Sequence, residues 1–272
     1  MSGDKCLVHR TTRGTTDRGQ GKPLAIRKLT LSAAALHRLS SEQRSAILLL
    51  GLFLNEANWL RKLLVKAHSG ISNAPDGQAN FALTVQLATT LAAKVHEGWK
   101  KVKEGTLAKT IHTVSLPEEL KKLRKDINRE LAKPTIGTIR NFYAFHYPAV
   151  LDFAKLSNID EGDTVIYATE STYNVDIFSH LSSLAALEPV LAIDPATDWR
   201  KALVAVWDEV MKVSGLYCFF LAETLTSLIG AWLDGKYKVE RIVEDDGPRL
   251  DDGPLRFFVH PPLDRQRAAP SK

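Results

Sequence analysis

Three long stretches of the chain repeat apolar residues at helical spacing, and they constrain the fold more than any other feature. The first runs from Ser40 to about His68, the second from Gln78 to Lys103, and the third from Trp199 to about Leu233. In each stretch apolar residues recur three or four positions apart, which places them on one face of an α-helix. We therefore predict an all-α helical bundle.

Capping and turn residues predict where further helices begin. Ser40 followed by Gln43 is the pattern of a capping box, in which each side chain bonds to the other residue's backbone. Pro117 with two glutamates after it favours the start of another helix. The remaining segments are predicted as a connection at 105–114, a helix from Pro134 that carries His146, a short strand or loop at 162–167, and a helix from Ser171 or Thr172 to about 187.

The pattern changes after Gly235. Residues 237–243 alternate polar and apolar side chains, and residues 255–259 are also typical of a strand. Between them the turn sequence Asp-Asp-Gly-Pro occurs twice. We predict a small C-terminal β-hairpin packed on the bundle. The chain then divides into a disordered basic N-terminal arm (1–28), a helical bundle domain (29–235) and a C-terminal extension with a frayed end (236–272).

The positive charge is concentrated in two regions. Residues 1–28 hold seven Lys or Arg against two Asp, a balance of +5, which equals the net charge of the whole chain. The remaining residues therefore sum to zero, so a protein that coats nucleic acid with its entire surface is excluded. Within the folded body, residues 94–133 hold eleven basic and six acidic residues. This segment is the candidate surface for a polyanion.

Cysteine usage and hydropathy predict the compartment. Cys6 and Cys218 are the two cysteines of the sequence, and they build neither a disulfide framework nor a zinc-ligand spacing. The start of the chain lacks the apolar run of a signal peptide, and polar residues interrupt the longest apolar stretches. We predict a cytoplasmic protein without a membrane span.

Residues 136–148 combine a cation, an imidazole and several aromatic side chains. Arg140 is followed by Asn141, and His146 comes six positions after Arg140. Metal-independent RNA cleavage needs a base for the 2′-hydroxyl proton, and a neutral imidazole has a suitable pKa. It also needs a cation on the crowded phosphate, and a guanidinium can hold two oxygens at once. The segment thus predicts a catalytic pair.

The order and gap of Arg140, Asn141 and His146 resemble the signature of the HEPN superfamily, whose members are all-helical. The resemblance implies a metal-independent endoribonuclease or RNA-binding effector that leaves a 2′,3′-cyclic phosphate and uses no cofactor. In that function His146 is the general base and Arg140 stabilises the phosphorane. It also implies a homodimer and, in a toxin–antitoxin or phage-defence system, an antitoxin or other defence component as the protein partner.

Other residues near this segment are candidates for binding RNA. Tyr143 and Tyr147 are one turn apart and suit base stacking or core packing. The end of the second long helix joins Trp99 to Lys100, Lys101 and Lys103, a mixture that suits a stacked base and a phosphate backbone. Asn55 and Glu56 lie beside the apolar face of the first long helix, and they either flank the site or face solvent.

Alternatives remain open for each of these groups. Lysines at a helix end also stabilise the helix dipole. In an ideal helix, residues six apart point about 120° away from each other, so one site needs a distorted turn or a second subunit. If the two side chains do not form one site, the Arg-His pair is structural, and the chain is a non-catalytic helical interaction or nucleotide-binding module. In a third interpretation the chain is a defence or antitoxin-like binding protein, and its basic arm, residues 1–28, contacts the partner. Glu56, Glu97 and Glu223 lack the Glu-x-x-His pattern of carboxylate metal sites, and we predict no metal.

Overall fold

The computed structural model describes residues 24–143, 164–168, 177–180, 184, 199–233 and 237–244. These ranges are mostly helical, which confirms the predicted all-α class. The helices are α1 (Ala33–Arg38), α2 (Ser41–Ser69), α3 (Pro75–Lys103), α4 (Gly105–Ile111), α5 (Glu118–Leu131), α6 (Pro134–Tyr143) and α7 (Trp199–Leu233). The strands are β1 (Leu24–Leu31), β2 (Ile166–Ala168), β3 (Ile177–Ser179) and β4 (Tyr237–Glu244).

The capping box predicted at the start of α2 is present. The Gln43 backbone N–H donates to the Ser40 hydroxyl at 3.2 Å, and the Ser40 N–H donates to Gln43 Oε1 at 2.9 Å. Two backbone donors that would otherwise lack a partner in the helix are thereby satisfied. The three long helices predicted from the apolar repeats are all confirmed as α2, α3 and α7.

Helices α2, α3 and α7 form the centre of the bundle. Asn80 near the start of α3 contacts Gly70 at the end of α2, and Lys94 further along α3 pairs with Glu56 in the middle of α2, so these helices are antiparallel. Phe81 packs on Trp199, and the Trp99 ring lies 5.1 Å from the Phe220 ring, so α3 and α7 run parallel. The fully buried side chains of this core include Leu50, Leu64, Leu91, Ile127, Ile136 and Leu221.

The segment predicted as a connection at 105–114 is partly helical. Residues 105–111 form α4, which buries Leu107 and Ile111 one turn apart. Gly105 has a φ of +77°, a conformation that side chains with a Cβ rarely adopt. This glycine turns the chain sharply after α3. The prediction missed α4 because a helix of two turns offers too short a repeat to detect.

Strand β4 was predicted, but its partner in the structure is β1. The two strands are antiparallel, with Leu24 opposite Glu244 and Leu31 opposite Tyr237. Residues 24–28 therefore belong to a strand, and the predicted disordered arm of 1–28 was too long. The two strands are separated by the whole bundle in sequence, so no local pattern could reveal their pairing. The other predicted strand, 255–259, lies outside the described residues.

A second strand pair joins β2 to β3. Ile166 lies opposite Ser179, and Ala168 lies opposite Ile177. The helix predicted from 171 to 187 is therefore wrong at residues 177–179. Ile177 and Phe178 fit a pleated strand well, and pairing with β2 outweighs the weak helical repeat.

Helix α7 is long and apolar enough to cross a membrane by length and composition. In the bundle, however, 44% of its most apolar window is buried inside the protein. Val210, Val213 and Leu221 are fully covered by neighbouring helices. A helix at the centre of a bundle has the same apolar composition as a membrane span.

Candidate functional site

The predicted catalytic segment begins in α6. Ile136 and Ile139 are almost fully buried and hold this helix against the core. The motif residues within α6 are Arg140, Asn141 and Tyr143. Outside the described part of the chain lie all side chains from Arg140 to residue 163, including those of His146 and Tyr147. That Arg140 and His146 form one site stays a prediction.

An ion cluster around the buried Glu130 lies immediately before the start of α6. Glu130 of α5 is only 2% exposed, its Oε1 lies 2.8 Å from Lys212 Nζ, and its Oε2 lies 2.9 Å from Lys133 Nζ. Lys133 also lies 3.6 Å from Glu209. The hydrogen bond from Lys212, with help from Lys133, lowers the pKa of Glu130, and the bond to Glu130 raises the pKa of Lys133. These contacts tie the end of α5 to α7 immediately before Pro134.

The lysines at the end of α3 face solvent. Lys100, Lys101 and Lys103 are all exposed in its last turn. Helix α5 presents further exposed cations at Lys121, Lys122, Lys125 and Arg129. The acidic Glu130 is buried and neutralised, so the positive surplus of residues 94–133 lies on the surface.

Trp99 is not available for stacking on a base. It is 3% exposed, its ring packs edge-on against Phe220, and its indole N–H donates to Asn128 Oδ1 at 2.9 Å. The predicted partnership of Trp99 with the lysines is therefore wrong. Trp99 lies on the inner face of α3 and therefore packs in the core, whereas the lysines lie on the outer face and contact solvent.

A groove with a volume of about 710 Å³ opens beside Lys100 and Lys101. Its described lining consists of Leu49, Phe53 and Glu56 from α2, Lys94, Glu97, Gly98, Lys100 and Lys101 from α3, Glu104 from the turn, and Gly105, Thr106 and Leu107 from α4. Lys94 Nζ lies 3.2 Å from Glu56 Oε1. The lining holds three lysines and three glutamates, so its formal charges cancel. Leu49, Phe53 and Leu107 provide its apolar part.

The groove brings together only some of the predicted residues. Glu56 shares it with Lys100 and Lys101, whereas Lys103 is not among its described lining. Asn55 is exposed on the adjoining face of α2. Lys94 could not be recognised from the sequence as a member, because its pairing with Glu56 depends on the antiparallel packing of two helices.

Beneath the groove, α3 approaches α7 closely. A Cβ atom placed on Gly98 would lie 2.0 Å from the hydroxyl oxygen of Tyr217, so only glycine fits there. Tyr217 is 1% exposed, and its burial raises the pKa of the phenol. The one signal of this contact in the sequence is a glycine, Gly98, inside a predicted helix, because such a glycine often marks close packing against another element.

Among the described residues, no three metal-ligating side chains converge. In particular, Glu56, Glu97 and Glu223 do not form a carboxylate cluster, and Glu56 is paired with Lys94.

Comparison with known proteins adds no relative. The sequence matches no protein-family model and no curated protein, and the fold matches no solved structure. The likeness of residues 140–146 to the HEPN signature therefore rests on those residues alone.

Proposed function

We propose that this protein binds RNA on its basic face, here defined as the exposed cations of α3, α4 and α5, and cleaves it without a metal at the Arg140–His146 pair. The observation that carries this proposal is the position of the basic face directly before α6 in the chain. The exposed members are Lys94, Lys100, Lys101, Lys103, Lys109, Lys121, Lys122, Lys125 and Arg129. A surplus of exposed cations attracts a phosphate backbone.

The acidic residues of this region weaken the attraction only partly. Glu118 pairs with Lys121, Asp126 pairs with Arg129 at 2.9 Å, and Glu130 is buried. Lys100, Lys101 and Lys103 remain exposed at the end of α3. Glu97, Glu104 and Glu119 are also exposed, but the exposed cations of the region outnumber the exposed acids. The face is therefore net positive where it meets solvent.

In the proposed reaction His146 takes the proton from a ribose 2′-hydroxyl, and the resulting oxygen attacks the adjacent phosphorus. Arg140 stabilises the extra negative charge of the phosphorane with paired N–H donors. The bond from phosphorus to the 5′-oxygen of the next nucleotide breaks, and that oxygen takes up a proton from solvent while His146 returns its own proton to solvent. The products are a 2′,3′-cyclic phosphate and a 5′-hydroxyl. A cytoplasmic setting in toxin–antitoxin or phage defence, with a protein partner, belongs to the same proposal.

The decisive experiment is RNA cleavage by the purified chain in EDTA. We expect cleavage that leaves a cyclic phosphate, and we expect Arg140→Ala and His146→Ala each to reduce it at least about 100-fold. Arg38→Ala and His37→Ala remove the same residue types from the surface of α1 and should leave the rate unchanged. Full activity of folded His146→Ala would refute the catalytic role of the pair.

RNA binding is tested separately through its salt dependence. Replacing Lys100, Lys101 and Lys103 together with alanine should weaken binding and reduce the slope of log K against log salt by about 2. A matched variant removes Lys28, Lys201 and Lys238, which lie elsewhere on the surface. Equal losses of slope in the two variants would show that the basic face has no special part in binding.

A second candidate function is a non-catalytic interaction module in which the Arg-His pair is structural. It is favoured by large apolar side chains that α2 exposes to solvent, such as Leu48 and Trp59. This candidate predicts no cleavage over a broad panel of RNAs and loss of folding in both Arg140→Ala and His146→Ala. Circular dichroism of the two variants separates the candidates.

A further inference from the structure

His112 and Arg124 are in direct contact beside the basic face. His112 follows the last residue of α4, and Arg124 lies in the middle of α5. The Arg124 Nη1 atom lies 3.3 Å from His112 Nε2. His112 is exposed and Arg124 is half-buried. The two helices thus bring an imidazole and a guanidinium together at one point of the surface.

This pair offers a ligand hydrogen-bond donors and no side-chain acceptor. A guanidinium can only donate, so Nε2 of His112 accepts and the proton of the neutral ring is on Nδ1. The contact uses one of the several N–H groups of Arg124. Neither side chain forms another hydrogen bond or an ion pair with the residues that the structure describes. The remaining donors suit a ligand that only accepts hydrogen bonds, such as a phosphate group.

Two further cations flank the pair, one on each helix. Lys109 precedes His112 by one turn, and Lys121 precedes Arg124 by one turn, so each lysine lies on the same side of its helix as the residue that follows it. Both lysines are exposed. Lys121 pairs with Glu118, whereas Lys109 forms no ion pair with the described residues. Positive charge from both helices therefore borders the contact.

The acidic residues of α5 face away from Arg124. At 100° per residue, each of them lies at least about 120° around the helix from Arg124. They are Glu118, Glu119, Asp126 and Glu130. An anion that approaches Arg124 therefore meets no carboxylate of α5 on this side.

We propose that His112 and Arg124, together with Lys109, form a phosphate-binding site that holds one phosphate group of a bound RNA. The guanidinium donates to two phosphate oxygens, and the imidazole Nδ1–H provides a further donor. The proposal rests on the proposed binding of RNA and adds one fixed point of attachment to it. Contacts of this kind set the position of a strand without reading its sequence.

An RNA strand suits this site better than an acidic protein segment does. The basic face continues from the end of α3 to the end of α5, with Lys100 and Arg129 near its two limits. Such a length of exposed positive charge complements an evenly charged phosphate backbone. Arginine also matches the planar arrangement of phosphate oxygens with paired donors.

A built site differs measurably from a diffuse electrostatic attraction. Diffuse attraction depends on charge, so removing the charge of Arg124 or of the adjacent Lys125 weakens it equally. A site depends on donors at fixed positions, so Arg124 contributes more than Lys125. Histidine carries little charge at a pH of about 8. A loss of binding on replacing His112 at that pH is therefore expected from a site and not from diffuse attraction.

Inorganic phosphate tests the site without RNA. We expect the NMR signals of the His112 ring in the full chain to shift saturably with added sodium phosphate, with a Kd of about 1–10 mM. Sodium chloride keeps the ionic strength constant, so that screening does not change during the titration. Arg124→Gln should weaken this binding at least about fivefold, and Lys125→Gln should leave it within about twofold. A His112 ring that shifts no more than the ring of the exposed His37 would overturn the proposal.

Binding of RNA that cannot be cleaved tests the site in its proposed setting. Short RNAs with 2′-O-methyl groups lack the attacking hydroxyl, so their binding is measured apart from cleavage. At a pH of about 8 we expect Arg124→Gln to raise the Kd at least about tenfold and His112→Asn to raise it at least about threefold. The matched variants are Lys125→Gln, which should raise the Kd less than about threefold, and His37→Asn, which should leave it unchanged.

Two forms of the RNA identify the source of the phosphate. One form carries a 5′-phosphate and the other a 5′-hydroxyl. Losses with both forms assign the site to a phosphodiester of the backbone. A loss with the 5′-phosphorylated form alone assigns it to a terminal phosphate.

The outcomes separate this site from the catalytic proposal. If the wild type binds 2′-O-methyl RNA with these losses but does not cleave unmodified RNA, catalysis at Arg140 and His146 fails and the phosphate site stands. If the wild type cleaves RNA and Arg124→Gln and His112→Asn bind as tightly as their matched variants, the phosphate site alone is overturned. It is also overturned if both variants lose binding to polyglutamate but not to RNA. A wild type that binds no RNA overturns both proposals.

Discussion

At the scale of single residues, Gly98 and Tyr217 are matched in size. Gly98 leaves room for a buried tyrosine whose hydroxyl lacks a hydrogen-bond partner among the described residues. Glycine within a helix lowers stability by about 1 kcal/mol relative to alanine. Here the cost is offset by the close approach of α3 and α7, which packs Tyr217 and Trp99 against each other.

We expect Gly98→Ala to lower the free energy of unfolding by about 1–3 kcal/mol, because the added methyl overlaps the Tyr217 hydroxyl. Gly230→Ala, at a helical position with open space around it, should instead raise that free energy by about 0.5–1 kcal/mol. Urea unfolding measures both. Adding Tyr217→Phe to Gly98→Ala removes the clashing oxygen and should recover part of the loss. If Gly98→Ala is as stable as Gly230→Ala, the close contact does not exist.

At the scale of secondary-structure elements, the buried Glu130 connects α5 to α7 and makes their packing sensitive to acid. A carboxylate with a lowered pKa stabilises the fold above its ordinary pKa, and this contribution is lost as pH falls through the lowered value. The relevant range therefore begins near pH 4.3 and extends downwards. Lys133 acts oppositely, since its raised pKa adds stability that is lost only at strongly alkaline pH.

We expect wild type to lose about 1–2 kcal/mol more stability than Glu130→Gln when pH falls from about 6 to 3. Chemical unfolding at the two pH values gives this difference. Glu119→Gln provides the control, since Glu119 is exposed on the same helix. An acid dependence that is identical in wild type and Glu130→Gln would mean that the cluster does not stabilise the fold through this carboxylate.

Elements with a long local repeat could be predicted from the sequence, and elements defined by distant partners could not. Helices α2, α3 and α7 show their apolar faces over many turns. Strands β1 and β3 depend on partners elsewhere in the chain, so their own residues suggested an arm and a helix. The same limit applies to the groove, where the exposure of Lys100 follows from its place at a helix end but the pairing of Glu56 with Lys94 spans 38 positions.

At the scale of the whole molecule, a strand that precedes the helical bundle in sequence (β1) pairs with a strand that follows it (β4). Leu31 of β1 and Tyr237 of β4 pack against a small apolar cluster that contains Leu39, Ile229 and Leu233. This cluster is separate from the main core. The β1–β4 pair thus fastens α1 and the end of α7 to each other.

Comparing two deletions isolates the contribution of β1. A chain without residues 2–31 should unfold about 4–8 °C below a chain without residues 2–23, because only the longer deletion removes the strand and the Leu31 contacts. Thermal unfolding followed by circular dichroism measures both midpoints. Equal midpoints would show that the bundle is independent of the strand pair.

The register of β1 and β4 also determines how the molecule responds to mechanical load. Leu24 and Glu244 form one end of the ladder, and residues 25–31 and 243–237 extend side by side from it. A force that pulls residues 24 and 244 apart therefore breaks the hydrogen bonds of the ladder one residue pair after another. The force does not act on all of these hydrogen bonds at once. The first event on stretching should be a low-force release of about eight residues from each end, with the helices still folded.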